Sequence, residues 1–235
     1  MTHKTARLLD TALALDAAGD RRGATTALER LVRRDPFHSE ASVKLANFDI
    51  AGERYAEAIQ RIERLLRVKP DLIDARATLA TAYLMSHRVE DARACAVETV
   101  KRHADSAWAR VILARVRTEL GEHEAAYAEL EAADGLGPSP VEKAEIQYEL
   151  GRSFESQGRH EESVVHFERA TVLAPALAHA HQAFGAALLR LGRFRRGWVE
   201  HEWRRRRALS RRRCRRYLMS STGSAGKICA ARTSS

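Results

Sequence analysis

Residues 144–177 read AEIQYELGRSFESQGRHEESVVHFERATVLAPAL. Gly151 follows Leu150 in the first half, Gly158 interrupts the stretch, and Phe167 and Ala170 precede Pro175 in the second half. Glycine and proline are the strongest local punctuation a chain has, and here they divide and close a polar–apolar pattern of helical period. The stretch reads as two short amphipathic helices joined by a turn.

Outward from this unit, the same arrangement recurs at a fixed interval. Pro36 and Pro70 lie 34 residues apart, and Pro138 falls on their frame. Ala24, Ala58, Ala92 and Ala126 are each 34 apart, as are Ala12, Ala46, Ala80 and Ala114. Two small-residue ladders at one period mark an internal repeat. In residues 39–72 the first helix is predicted over Ser39–Ala51, with Leu45 and Ala46 inward, and Gly52 breaks it. The second carries Tyr55, Ala58, Ile62 and Leu65 on one stripe. Pro70 ends it, because proline cannot continue a helix and restricts the residue before it. The small residues stand where the two helices of a pair cross.

This pattern resembles the tetratricopeptide repeat, which has a small residue at position 8, alanine at 20, a large apolar residue at 24 and proline at 32. Units are placed at 5–38, 39–72, 73–106, 107–140, 144–177 and 178–211, with three extra residues near Val141–Lys143. The sixth unit keeps Phe184-Gly185, Leu188, Gly192 and Phe194. Its second helix is degraded, with Gly197 in place of alanine and His201, Arg204 and Arg205 in apolar slots. One repeat cannot bury its apolar face alone, so neighbours stack. The expected fold class is all-α, a right-handed superhelical solenoid of about six such repeats over residues 5–207. A disordered basic tail is expected over 208–235.

The resemblance places positions 2, 5, 9, 12 and 13 of each first helix on the concave side. Those positions hold Glu40, Val43, Asn47 and Ile50; Asp74, Ala77, Thr81, Leu84 and Met85; Trp108, Val111, Arg115 and Thr118; and Glu145, Tyr148, Arg152 and Glu155. A groove that is apolar in the middle with polar flanks suits an extended or helical peptide. Trp108 and Tyr148 are the anchor candidates, since aromatics dominate binding hot spots. Packing of Trp108 against a neighbouring helix is the alternative. Some chaperone-binding repeats clamp a C-terminal carboxylate with Lys and, four residues later, Asn; here Val43 stands four before Asn47, so the clamp is broken. The asparagine ladder of glycosyltransferase repeats is absent, its slots holding Asp10, Lys44, Thr78, Ile112, Glu149 and Ala183. Arg115 and Arg152 are read either as solvated surface or as contacts for an acidic partner.

The run 192–204, GRFRRGWVEHEWR, looks like a signature found where bacterial tetratricopeptide proteins lead into a heptosyltransferase-like glycosyltransferase domain. His201 replaces the usual tyrosine, and only 31 residues follow Arg204. The resemblance implies that the chain is the recognition arm of a truncated or frame-shifted relative. Transferase-like sequence is then expected in another reading frame downstream.

Composition bounds the rest. The net charge of +9 is concentrated at the C-terminal end, where residues 193–235 carry +12 and leave −3 for the first 192. Nine arginines within 204–216 would attract phosphate backbones or anionic headgroups, but with little aromatic content nearby nucleic-acid binding is the weaker reading. No stretch approaches the ~20 apolar residues of a membrane span. Three cysteines, Cys95, Cys214 and Cys229, make no disulfide framework, and a cytoplasmic setting is expected. No spacing assigns a nucleophile–base pair, a metal site or a cofactor loop. His160 and His166 lie on different helix faces, and His179 and His181 point apart, so these are read as surface histidines. The segment GSAGK at 223–227 lacks the rest of a phosphate loop. Cys95 is read as a buried small hydrophobe. The expected function is that of a non-catalytic scaffold binding a protein or peptide segment in the concave groove.

Overall fold

A computed structural model describes residues 3–202 of the chain. They form α1 (His3–Ala17), α2 (Arg21–Arg34), α3 (Ser39–Ile50), α4 (Tyr55–Val68), α5 (Ile73–Met85) and α6 (Val89–Arg102). There follow α7 (Ala107–Glu119), α8 (His123–Gly135), α9 (Pro140–Ser156), α10 (His160–Leu173) and α11 (Ala178–Arg190). A further helical run, α12, occupies 194–202. No strand occurs among the described residues. The expected basic tail and the arginine cluster at 204–216 lie outside them.

Local chemistry starts and stops these helices. Asp20 caps α2 by accepting from the Gly23 N–H at 2.9 Å. His38 Nδ1 accepts from the Ala41 N–H at the start of α3, and Ser106 Oγ from the Ala109 N–H at the start of α7. These caps satisfy donors that the first helical turn leaves unpaired. Between the helices of each pair the backbone turns through positive φ at residues 19, 53, 87, 121, 158 and 192. That set follows the repeat frame, with glycine at four of the six places and Glu53 and His87 at the others.

The odd-numbered helices are the first helices of each unit, and they contact one another in succession from α3 to α9. The even-numbered helices pack between consecutive odd ones. This is the expected all-α solenoid. Both small-residue ladders lie inside it: Ala24, Ala58, Ala92 and Ala126 are each 0% exposed, and Ala12, Ala46, Ala80 and Ala114 are buried. The α4 stripe of Ala58, Ile59, Ile62 and Leu65 is buried against Leu79 and Tyr83 of α5. At the C-terminal end Phe167, Phe184 and Leu188 form the corresponding cluster.

Two departures from expectation have local causes. The extra residues near Val141–Lys143 add no loop; they form the first turn of α9, started by a capping box in which Ser139 and Glu142 satisfy each other. The degraded sixth unit still forms a helix over 194–202. An added Cβ at Gly185 would lie 3.1 Å from the Gly197 carbonyl oxygen, so the two glycines let these backbones approach closely.

Candidate functional site

The inner faces of α3, α5 and α7 bound a groove of about 1050 Å³. Its walls are three rows, each with one residue per repeat. Position 2 supplies Glu40, Asp74 and Trp108; position 5 supplies Val43 and Ala77; position 9 supplies Asn47, Thr81 and Arg115. The 34-residue frame therefore maps onto the groove as a lattice, because equivalent residues of stacked units face the same way. Val111, the third member of the floor row, is 0% exposed and belongs to the core. Thr118 is likewise buried and does not face the groove.

Trp108 satisfies both alternatives raised for it. It lines the groove, is half-buried, and packs against the two central core clusters. The Arg115 guanidinium, two turns further along the same face of α7, lies 5.8 Å from its ring centroid. Trp108 is thereby fixed with part of its ring turned to the groove.

Arg115 and Arg152 are neither simply solvated nor available as free cations. Glu149, 0% exposed, accepts from Arg115 Nε at 2.6 Å and from an Arg152 guanidinium nitrogen at 3.1 Å. Arg152 also pairs with Glu119 of α7, and Glu145 lies 4.0 Å from Arg115 and 3.2 Å from His179 Nε2 of α11. Burial alone would lower the pKa of either arginine; attraction to Glu149 overcomes it and holds both above the ordinary arginine value. This ion network joins α7, α9 and α11 across the concave side.

Two other predicted groove residues are placed elsewhere. Met85 ends α5 and is half exposed, outside the groove wall. Tyr148 is packed, with ring centroids 5.8 Å from Phe167 and 4.5 Å from His179. Burial raises its pKa. Asn47, Thr81, Trp108 and Arg115 share one groove, while Tyr148 and Arg152 belong to the packed, ion-paired continuation toward α11.

The surface reading of the histidines is corrected at two positions: His181 is buried and bonds Glu200 at 2.7 Å, and His166 is half-buried, 2.9 Å from Gln147 Oε1. His179 is exposed, as expected, and meets Glu145. Among the described residues no group of three or more His, Cys, Asp or Glu side chains is placed to hold a metal. Cys95 is mostly buried beside Arg76, and burial pushes its thiol up to about 11. No helix of the described residues is long and apolar enough to cross a membrane.

Sequence reading put Glu40, Asp74 and Glu145 on the concave side without giving them a role, and it missed Glu149 as the centre of the ion network. The available signal was charge complementarity one repeat apart. Arg115 and Glu149 are 34 residues apart, Glu145 and His179 also 34, and Glu119 and Arg152 33.

Comparisons with known proteins agree with this architecture. Three tetratricopeptide repeat family models match the chain, over residues 15–73 and 50–102, 77–140, and 144–177. Among curated proteins none matches. The structure is similar to a thermophilic tetratricopeptide protein of Thermus thermophilus, at 23% identity and a TM-score of 0.65, covering 79% of this chain and 99% of that one. It is also similar to PilW, a type IV pilus biogenesis factor, at 16% identity and a TM-score of 0.58, covering 85% and 91%. A tetratricopeptide protein of Parabacteroides merdae matches at 13% identity and a TM-score of 0.51, covering 85% and 78%. At these identities the likeness speaks for the fold. With the 34-residue lattice, the paired helices and the three matching models together, the chain belongs to the tetratricopeptide repeat family.

Proposed function

We propose that this protein is a non-catalytic interaction scaffold that binds a peptide or protein segment in the groove between α3, α5 and α7. The observation that carries the reading is the lattice of Val43 and Ala77 on the floor, Asn47 and Thr81 on one wall, and Trp108 at the end. A floor of small apolar groups with regularly spaced amide and hydroxyl groups offers an extended chain both contact area and hydrogen bonds. An aromatic held partly open on a rigid helix is a low-entropy anchor. The tetratricopeptide fold in general supports protein-interaction scaffolds, and such repeats are typically non-catalytic.

The test is selection of displayed random peptides on the immobilised full chain, followed by binding measurements on the enriched peptides. Trp108→Ala and the double variant Asn47→Ala/Thr81→Val should each weaken them while helicity by circular dichroism stays unchanged. Peptides that bind all variants equally would place the binding surface elsewhere.

A further inference from the structure

We propose that the groove selects a basic segment, an extended peptide with two Lys or Arg side chains about three residues apart and an apolar residue three further on. This rests on the groove reading above and names its partner class.

Both cations of the lining have carboxylate partners outside it. Arg115 is held by Glu149 at 2.6 Å, and Lys44 lies 3.9 Å from Asp16. At the edge, Lys69 is turned to the Phe37 carbonyl and Ser39 Oγ. The lining carboxylates are Glu40, Asp71, Asp74 and Glu142. Asp71 reaches Arg102 at 3.4 Å, and Glu142 is taken by Ser139. Glu40 and Asp74 are exposed, line the groove, and have no ion-pair partner among the described residues. The field in the groove is therefore negative, and an acidic segment would be repelled from it.

The geometry then orders the partner. Glu40, Asp74 and Trp108 occupy the same position in three successive units, so one wall presents carboxylate, carboxylate and indole in that order. Packed helix axes lie ~8–10 Å apart. An extended chain in the polyproline II conformation has three residues per turn and rises ~3.1 Å per residue, so side chains three apart share one face and match that spacing. Val43 and Ala77 leave room for the backbone, and Asn47 and Thr81 face it from the other wall. Glu40 and Asp74 also sit in the first turns of α3 and α5, where a negative charge favours the helix. Their loss is therefore to be read in binding, with melting as the control.

The probe is a fluorescein-labelled peptide, acetyl-Gly-Lys-Ala-Ala-Lys-Ala-Ala-Leu-Gly-amide, titrated onto the full chain by anisotropy. Its counterpart carries Glu in place of both Lys. The Lys peptide should bind, weaken with added salt, and lose roughly tenfold on Glu40→Gln/Asp74→Asn; the Glu peptide should not bind. Residues 204–216 hold nine arginines of the same chemistry. The series therefore includes a full-length variant with those nine changed to Gln, which should bind the Lys peptide at least as tightly. Equal binding by wild type and the double carboxylate variant, or preference for the Glu peptide, overturns the basic class. If displayed peptides depend on Trp108 yet lack Lys and Arg, the groove stands and only the partner class falls. If none depends on the groove, both readings fall.

Discussion

Glu149, which has no exposed surface, accepts a 2.6 Å hydrogen bond from Nε of Arg115, 34 residues earlier in the chain. The pair ties α7 to α9 at equivalent levels of successive repeats, and Arg152 closes the other carboxylate oxygen. A carboxylate taken wholly out of water is tolerable only when its oxygens are satisfied by such partners. Removing it would take from Arg115 its nearest carboxylate and leave Arg152 with Glu119 alone, so the two guanidinium groups would repel with less between them. Glu149→Ala should destabilise the fold by about 3 kcal/mol or more, read as a fall in urea midpoint. Glu149→Gln, which keeps an acceptor, should lose less. Equal, negligible losses would show the network to be incidental.

The turns between paired helices carry a second expectation. Glu53 and His87 adopt φ of 61° and 59° at the frame position that is glycine in the other units. Left-handed backbone costs a residue with a Cβ about 1–2 kcal/mol, and glycine returns part of that gain through its freer unfolded chain. Glu53→Gly and His87→Gly should each raise the melting temperature, whereas Gly121→Ala should lower it. A stabilising Gly121→Ala would contradict the shared turn geometry.

Close helix crossing gives a third. A Cβ on Gly151 would come within 2.6 Å of the fully buried Phe167 ring. Overpacking of this kind costs about 1–3 kcal/mol. Gly151→Ala should therefore destabilise, and so should Ala58→Leu at the equivalent crossing of another unit. In the double variant Gly151→Ala/Phe167→Leu part of the loss should be recovered, because the smaller side chain vacates the space. Denaturation midpoints of the three proteins decide this.

The thiol of Cys95 supplies a fourth. Burial raises its pKa to about 11, so the folded state keeps the proton that an unfolded chain releases first. The contribution to stability is complete below the unfolded value and is lost as pH rises through about 9 toward 11. At pH 8 the native protein should leave Cys95 unmodified by iodoacetamide, and denaturant should expose it. Mass spectrometry of the Cys95 peptide distinguishes the two states; rapid native labelling would contradict its burial.

Much of this was legible in the sequence, and the limit has a physical origin. The alanine ladders, Gly158 and Pro175 place helices and crossings because backbone packing tolerates only small groups or breaks there. Repeat position alone puts Asn47, Thr81, Trp108 and Arg115 on one side of the solenoid, and all four line the groove. Tyr148 and Arg152 occupy equivalent positions in the next unit, yet α11 and the Glu149 network engage them. Position in a repeat sets the direction of a side chain, but what meets it depends on the neighbouring unit. Val111 shows the same limit, since it shares its repeat position with Val43 and Ala77 and is nevertheless buried. At the C-terminal end Phe194 and Trp198 are 61% and 55% exposed, whereas Val164, one repeat before Trp198, is buried with Phe184 of the following helix.

The central claim is that the α3–α5–α7 groove is where a partner segment binds. Hydrogen exchange on the full chain, with and without a selected peptide, tests it most directly, because it reads the location of binding without prior choice of residues. The account predicts added protection within 39–47, 73–81 and 107–115, absent in the Trp108→Ala protein. Protection confined to α10 and the 194–202 helix, with those three stretches unchanged, would contradict it.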